Sequence, residues 1–395
     1  MKHTIRAWFF ILLLSSCAEA DKYSFDNSNP LAMLGQIGWS LGSVPAKGAN
    51  GSLSFVAVGS NCSSWTSGDG TTWKYSATRF PGCVDGFIYS VAYGNGTWVA
   101  VGTLTANTGC GIWSSQDGET WVQSSCAAGT ITISGTPTSV IRNLYTVTFG
   151  GGRFFAAGEH IAAQTGVGFF GQISDDGKNW QFLSITDGST YIGTDYFSFS
   201  SYSSANSEVY ISGLHSVNSE LVQFSLPSLS SSSVSISTPS SKSGVLALKS
   251  GKVFVFGGNT DVNPTSSFAK IGNTVLNVAS SGTFNTAIPG FINSAVEGKD
   301  KIVVFGNQCA VDYYDLTLQV WHPAASPNMV QCSGLDWMSS VYNSTLDLFV
   351  VGGRVSANVP TAFGFSKTGL PTDWTVVTQG DAGSPGPSIL GIATQ

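Results

Sequence analysis

The chain has 395 residues, of which only 10% are charged, with 47 glycines, 12% aromatic residues and a formal net charge of −6. The acidic balance and the lack of a basic stripe argue against a nucleic-acid partner, since nothing stands ready to neutralise phosphates. The length exceeds one ordinary compact core, so either two domains or a modular ring is expected, rich in β-structure and tight turns.

At the N-terminus, Lys2 and Arg6 make a short basic stretch, and Ala7 to Leu14 (AWFFILLL) is apolar. That run is too short for a membrane-spanning helix, which needs about 20 apolar residues. It ends in Leu14, Ser15, Ser16 and Cys17. This resembles the lipobox of bacterial lipoproteins. The resemblance implies cleavage before Cys17 and acylation of Cys17, with each buried methylene of the acyl chains adding about 0.8 kcal/mol of membrane affinity. An ordinary signal peptide cut after Ala18 or Ala20 is the alternative. Residues 1–16 are thus read as a signal peptide, 17–34 as a lipidated N-terminus and polar tether, and 35–395 as the folded domain. The corresponding location is the bacterial envelope, the outer membrane rather than the inner. Membrane contact is through the anchor alone, and the protein is expected to be a monomer.

Further along, one motif recurs. Phe55–Gly59 (FVAVG), Trp98–Gly102 (WVAVG) and Phe154–Gly158 (FFAAG) are followed by weaker copies at Val209–Gly213, Val253–Gly257, Ile302–Gly306 and Leu348–Gly352. The marker glycines lie 43 to 56 residues apart, the period of a four-stranded propeller blade. Continuous apolar runs fit strands buried on both faces between neighbouring blades. Seven copies predict an all-β propeller of seven blades with four antiparallel strands each. Ser388 to Thr394 (SILGIAT) and Trp39 to Val44 compete to supply the strand that closes the ring. The Ser-rich stretch from Ser225 to Ser243 is read as a degenerate blade rather than a linker.

After the marker strand of the first three units comes a hairpin: Ser67, Asp69, Gly70, Trp73; Ser115, Asp117, Gly118, Trp121; and Ser174, Asp176, Gly177, Trp180. Asp-Gly is a strong turn signal, because Gly accepts positive φ and Asp caps the turn, and the Trp is expected to lie over its hairpin. This S-x-D-G-x-x-W pattern resembles the Asp-box (BNR) repeat of sialidase-like propellers, with one residue fewer between Asp and Gly. The shorter form recurs in secreted bacterial repeat proteins with an FVAVG strand. In other units the turn position holds Ser230 to Ser233, Asp315 to Thr317, or Lys367 to Asp373. The Asp-box is a structural turn, so its aspartates are not read as catalytic.

Six cysteines remain beyond Cys17, an even number that implies disulfides in an exported chain. Cys62 and Cys309 each lie three residues after a marker glycine, and Cys83 and Cys332 lie ten and eleven residues after Trp73 and Trp321. Equivalent offsets predict the pairs Cys62–Cys83 and Cys309–Cys332, which leaves Cys110 for Cys126. Each bridge would tie the loop after a second strand to the loop after a fourth, on one face of the ring.

Chemistry is harder to find. Sialidases resemble one another in an arginine triad, a Tyr/Glu pair and an acid/base Asp. Here the mature chain has only Arg79, Arg142, Arg153 and Arg354, and no F/Y-R-I-P motif. His160, His215 and His322 are scattered, and no metal, cofactor or catalytic set is assigned. Asp187, Tyr191 and Asp195 bracket an aromatic loop and are the candidate binding residues. The expectation is a non-catalytic binding or scaffold protein that recognises a protein or glycan through its loop face. A sialidase-like or other glycoside hydrolase is the alternative.

Overall fold

The computed structural model describes residues 53–395 except 77–79, 106–108, 134–135, 141–142, 161–163, 166–168, 186–189, 192–194, 216–217, 226–229, 240–242, 260–265, 274–283, 290, 323–331, 333–334, 356–360 and 380–385. The expected signal peptide and tether, Cys17 and Trp39 to Val44 therefore lie outside the described residues.

Seven antiparallel four-stranded units follow one another. Blade 1 combines Ile389–Thr394 with Phe55–Gly59, Ser64–Ser67 and Lys74–Ser76. Blade 2 is Ile88–Gly94, Thr97–Thr103, Cys110–Ser115 and Val122–Ser124, and blade 3 is Leu144–Gly150, Arg153–His160, Phe169–Ser174 and Gln181–Ile185. Blade 4 runs Asp195–Ser203, Glu208–His215, Asn218–Ser225 and Ser230–Pro239, which makes the Ser-rich stretch a blade edge. Blades 5, 6 and 7 begin at Ser243–Ala247, Ile292–Gly298 and Leu335–Asn343. The first strands neighbour one another in a closed cycle, with Ile389–Thr394 between those of blades 7 and 2. Closure comes from the C-terminal segment: Phe55 pairs with Thr394 and Val58 with Gly391. No helix among the described residues is long and apolar enough to cross a membrane.

The marker strands are the second strands, and their apolar runs are explained by where they sit. Phe55–Gly59 and Thr97–Thr103 are buried at every position. One face packs on the blade before and the other on the blade after. Val303 and Phe305 of blade 6 thus share a cluster with Trp337, Phe349 and Val351 of blade 7. Phe349's neighbours Leu348 and Val350 join Phe55 and Ala57 of blade 1 in the next cluster. Each such side chain contributes roughly 1.5–3 kcal/mol on full burial.

The marker glycine has a separate cause. In six blades the first strand carries one extra residue beside it, and the pairing shifts register there. The shift presses a carbonyl of the first strand onto the second. A Cβ at Gly59, Gly102 or Gly158 would overlap the carbonyl oxygen of Ser388, Phe87 or Asn143.

The two longest spacings also have local causes. Between blades 2 and 3 an extra hairpin, Gly129–Ile133 with Thr136–Val140, is inserted. Around blade 3, Gln164–Thr165 pairs with Thr190–Tyr191 in a small ladder of its own.

Candidate functional site

A propeller has two faces, and this chain equips them differently. On one face lie the loops between second and third strands and the connections between blades. Disulfides join Cys62 to Cys83, Cys110 to Cys126 and Cys309 to Cys332, with Cα separations of 5.9, 6.4 and 5.8 Å. The first and third bridges have the same backbone setting. Asn61 and Cys62, like Gln308 and Cys309, are both left-handed, with φ between 53° and 62°, as in the tight hairpin turn that matches strand twist. The Cys62 amide then donates to the Gly86 carbonyl at 3.0 Å, and the Cys309 amide to Leu335 at 2.8 Å. Non-glycine residues rarely adopt this conformation, and here a covalent bridge and an amide bond hold each turn. In blade 3 the Gln164–Thr165 and Thr190–Tyr191 ladder makes the same loop-to-connection tie without cysteines.

The central channel runs from this face toward the other. Its cavity, about 320 Å³, is lined by the first strands of all seven blades. Hydroxyls link neighbouring first strands at five of the seven junctions. Ser90 Oγ accepts from the Val147 amide at 3.2 Å, Ser201 Oγ from Ala247 at 2.9 Å and Ser339 Oγ from Ile392 at 3.0 Å. Thr146 and Ser200 share a hydroxyl–hydroxyl bond of 2.7 Å, as do Ser294 and Ser340. These bonds satisfy strand edges that would otherwise face the channel unpaired.

Extra residues of the bulges stand at the mouth. Four of the six line the cavity and are half-buried: Met338 in blade 7, Leu390 in blade 1, Tyr89 in blade 2 and Tyr145 in blade 3. The extra residues of blades 4 and 6, Ser198 and Asn293, are not among the described residues of its lining. Tyr89 and Tyr145 meet edge to face at 4.8 Å, and Phe87 stacks on Tyr89 at 5.8 Å. Phe87 is pinned from both sides: its carbonyl accepts from the Thr103 amide and its amide donates to Thr103 Oγ1.

The opposite face carries the turns between third and fourth strands. In each Asp-box the Ser hydroxyl accepts from the Gly amide and donates to the Asp carboxylate. For the first unit these distances are 2.8 Å from Gly70 and 3.0 Å to Asp69. Asp69 Oδ1 accepts from the Thr71 and Thr72 amides at 2.8 and 2.7 Å, and Asp117 and Asp176 repeat the pattern. Partial burial pushes these carboxyls up, but the amide and hydroxyl bonds together outweigh it. They hold Asp69 and Asp176 at about 2, and Asp117 below its ordinary value.

The Trp side chains do more than cover their hairpins: they wedge between blades. Trp73 stacks on Phe363 of blade 7 at 3.9 Å, and Trp180 packs with Val99 and Val101 of blade 2. Blade 7 retains a disguised version of the turn. Ser366 Oγ accepts from the Gly369 amide at 2.9 Å, the carboxylate comes from Asp373 behind the turn, and Trp374 is buried against blade 6. A wider concavity of about 810 Å³ lies at the rim between blades 2 and 3. Its lining includes Ser115, Asp117, Asn179 and Trp180, so it is the gap left beside two structural turns where the fourth strand, Val122–Ser124, is only three residues long.

Of the residues singled out in the sequence, Tyr191 lies in the small ladder of blade 3 and Asp195 pairs with His160 at the start of blade 4, both on the disulfide face. Asp187, Arg79 and Arg142 lie outside the described residues. Arg153 begins a second strand on the Asp-box face, where its guanidinium pairs with Asp175 at 2.8 Å. His322 stacks on Tyr313 at 5.0 Å. Sequence reasoning missed the bulge residues Tyr89, Tyr145, Met338 and Leu390. The available signal was an aromatic or aliphatic residue just before Ser, Thr or Gly near the start of the first strands of blades 7, 1, 2 and 3.

No protein-family model and no curated protein matches this chain. Among solved structures it is similar to YCF48 bound to D1 peptide, at 15% identity over 76% of this chain and 86% of that chain, TM-score 0.49. It is also similar to the Neurospora crassa Pan2 WD40 domain (9% identity, 74% and 79% covered, TM-score 0.46) and to TolB from Acinetobacter baumannii (10%, 91% and 69%, TM-score 0.43). The chain itself is an all-β, seven-bladed propeller, by its own sheets and the closed cycle of its first strands.

Proposed function

We propose that this protein is a non-catalytic binding protein of the bacterial envelope, held by a lipid on Cys17, that recognises a protein or glycan through its disulfide-bearing face. The observation that carries the reading is the one-sided reinforcement of the ring. Three disulfides and the ladder of blade 3 tie loop to connection on that face. Rigid loops on a rigid ring lose little entropy on binding, which favours recognition. On the other face the Asp-box carboxylates are occupied by their own turns. The lipobox-like Leu14 to Cys17 supports the anchor.

The test uses two exposed apolar residues on opposite faces, Val84 and Leu318, which are 65% and 64% exposed. Val84→Glu is expected to abolish capture of the partner from an envelope extract, and Leu318→Glu to leave it intact. The reverse outcome would overturn the assignment of the face. Cys17→Ser is expected to move the protein from the membrane to the soluble fraction, and unchanged membrane association would remove the anchor from the proposal.

A further inference from the structure

The channel mouth has a chemical character of its own, and from it we propose that the mouth is a binding site for an uncharged saccharide. The inference rests on the binding-protein reading and narrows it to one site and one ligand class. Tyr89, Tyr145, Met338 and Leu390 form an apolar and aromatic arc over four consecutive blades, 7, 1, 2 and 3. Each is there because a bulge adds one residue to its first strand, and bulges characteristically re-aim a side chain. Below the arc the wall is mixed: among Val91, Val147, Val245 and Ala295 stand the hydroxyls of Ser90, Thr146, Ser200, Ser294 and Ser340, which are bonded between strands but keep an acceptor lone pair for a ligand. A sugar ring has the matching surface, with C–H groups for an aromatic face and hydroxyls for a hydroxyl-lined wall.

Two features decide against other ligands. Among the described residues that line the cavity there is no Asp, Glu, Lys, Arg or His, so an acidic sugar or a charged peptide would shed hydration with no counter-charge to meet it. A peptide adding as a strand needs free edge amides. Here Ser90, Ser201 and Ser339 already accept from the amides of Val147, Ala247 and Ile392. The volume of about 320 Å³ is at the small end for ligand cavities, enough for roughly one or two sugar rings. The site is also pre-formed, since Phe87 is bonded to Thr103 on both sides and lies beside the Cys62–Cys83 bridge.

The experiment uses the full chain in detergent, probed against immobilised neutral oligosaccharides (gluco-, manno- and N-acetylglucosamine oligomers) and acidic ones (sialylated and uronate-containing). At least one neutral oligosaccharide should bind. Tyr89→Ala and Tyr145→Ala should each weaken it about tenfold, the scale of one lost aromatic contact. Tyr89→Trp, which keeps a stacking face, should retain binding and serves as the informative variant where an alanine variant fails to fold. Leu318→Ala, on the opposite face, should change nothing. Binding of acidic glycans alone, binding of none, or neutral binding indifferent to both tyrosines would overturn the inference. If no neutral oligosaccharide binds while a protein partner is still captured and is lost on Val84→Glu, the saccharide site fails and the binding-protein reading stands. If Val84→Glu changes nothing as well, both fail.

Discussion

Asp69 and Asp176 titrate against hydrogen bonds that their own turns supply. With the folded carboxyl at about 2 and the ordinary value at 3.8, the folded state holds fewer protons than the unfolded one between those limits. Their stabilising contribution is therefore complete above about pH 5 and lost as pH falls toward about 2. Thermal unfolding followed by circular dichroism from pH 6 to 2 should show the midpoint falling only in that lower window. In the Asp69→Asn variant the fall should be shallower and start from a lower midpoint. Asp117→Ala should cost about 0.5–2 kcal/mol, as loss of a comparable cap does. A pH profile unchanged by Asp69→Asn would contradict the assignment of these bonds. At this scale the Asp-box turns were legible in the sequence because turn chemistry is local: Ser, Asp and Gly sit within four residues of one another. Blade 7 was not, because its carboxylate arrives from Asp373, four residues beyond Gly369. The mouth residues Tyr89 and Tyr145 were hidden for a different reason. A bulge breaks the two-residue alternation by which side-chain direction is read from a strand.

The second strand and its glycine are the element on which the blade is built. Gly102→Ala should destabilise by about 1–3 kcal/mol or prevent folding, since the new Cβ meets the backbone oxygen of Phe87 rather than a side chain that can move away. A denaturant midpoint equal to that of the unaltered protein would show that the bulge relaxes freely. The bridges act at the same level. Removing Cys309 and Cys332 together should cost about 2–5 kcal/mol, and non-reducing peptide mapping should recover Cys62 with Cys83, Cys110 with Cys126 and Cys309 with Cys332. A bridge between distant blades in that map would refute the phasing of the strands. Apolar continuity over Phe55–Gly59 and its copies made the second strands easy to place. The Gly129–Val140 hairpin and the ladder at Tyr191 showed only as long spacings, because nothing in a spacing says whether extra residues pair with one another or run as a loop.

For the whole molecule, closure depends on six residues. Ile389–Thr394 completes blade 1, and its Thr394 hydroxyl donates to the Ser54 carbonyl at 3.0 Å. Truncation before Ser388 leaves Phe55–Gly59 without its inner partner and exposes Phe55, Ala57, Leu348 and Val350, which share a cluster with Ile389 and Ile392. Such a chain should lose its cooperative unfolding transition or aggregate, and retention of the full transition would show that another segment closes the ring. The number of blades was legible because every unit repeats one motif. The choice of closing strand was not, since Trp39 to Val44 and Ser388 to Thr394 are equally strand-like. The proposed partner meets the disulfide-bearing face. Photo-crosslinking in living cells tests this contact most directly, with a photoreactive residue placed in turn at Val84 and at Leu318. A discrete adduct is expected from position 84 and none from position 318. A discrete adduct from position 318 with none from position 84 would contradict it.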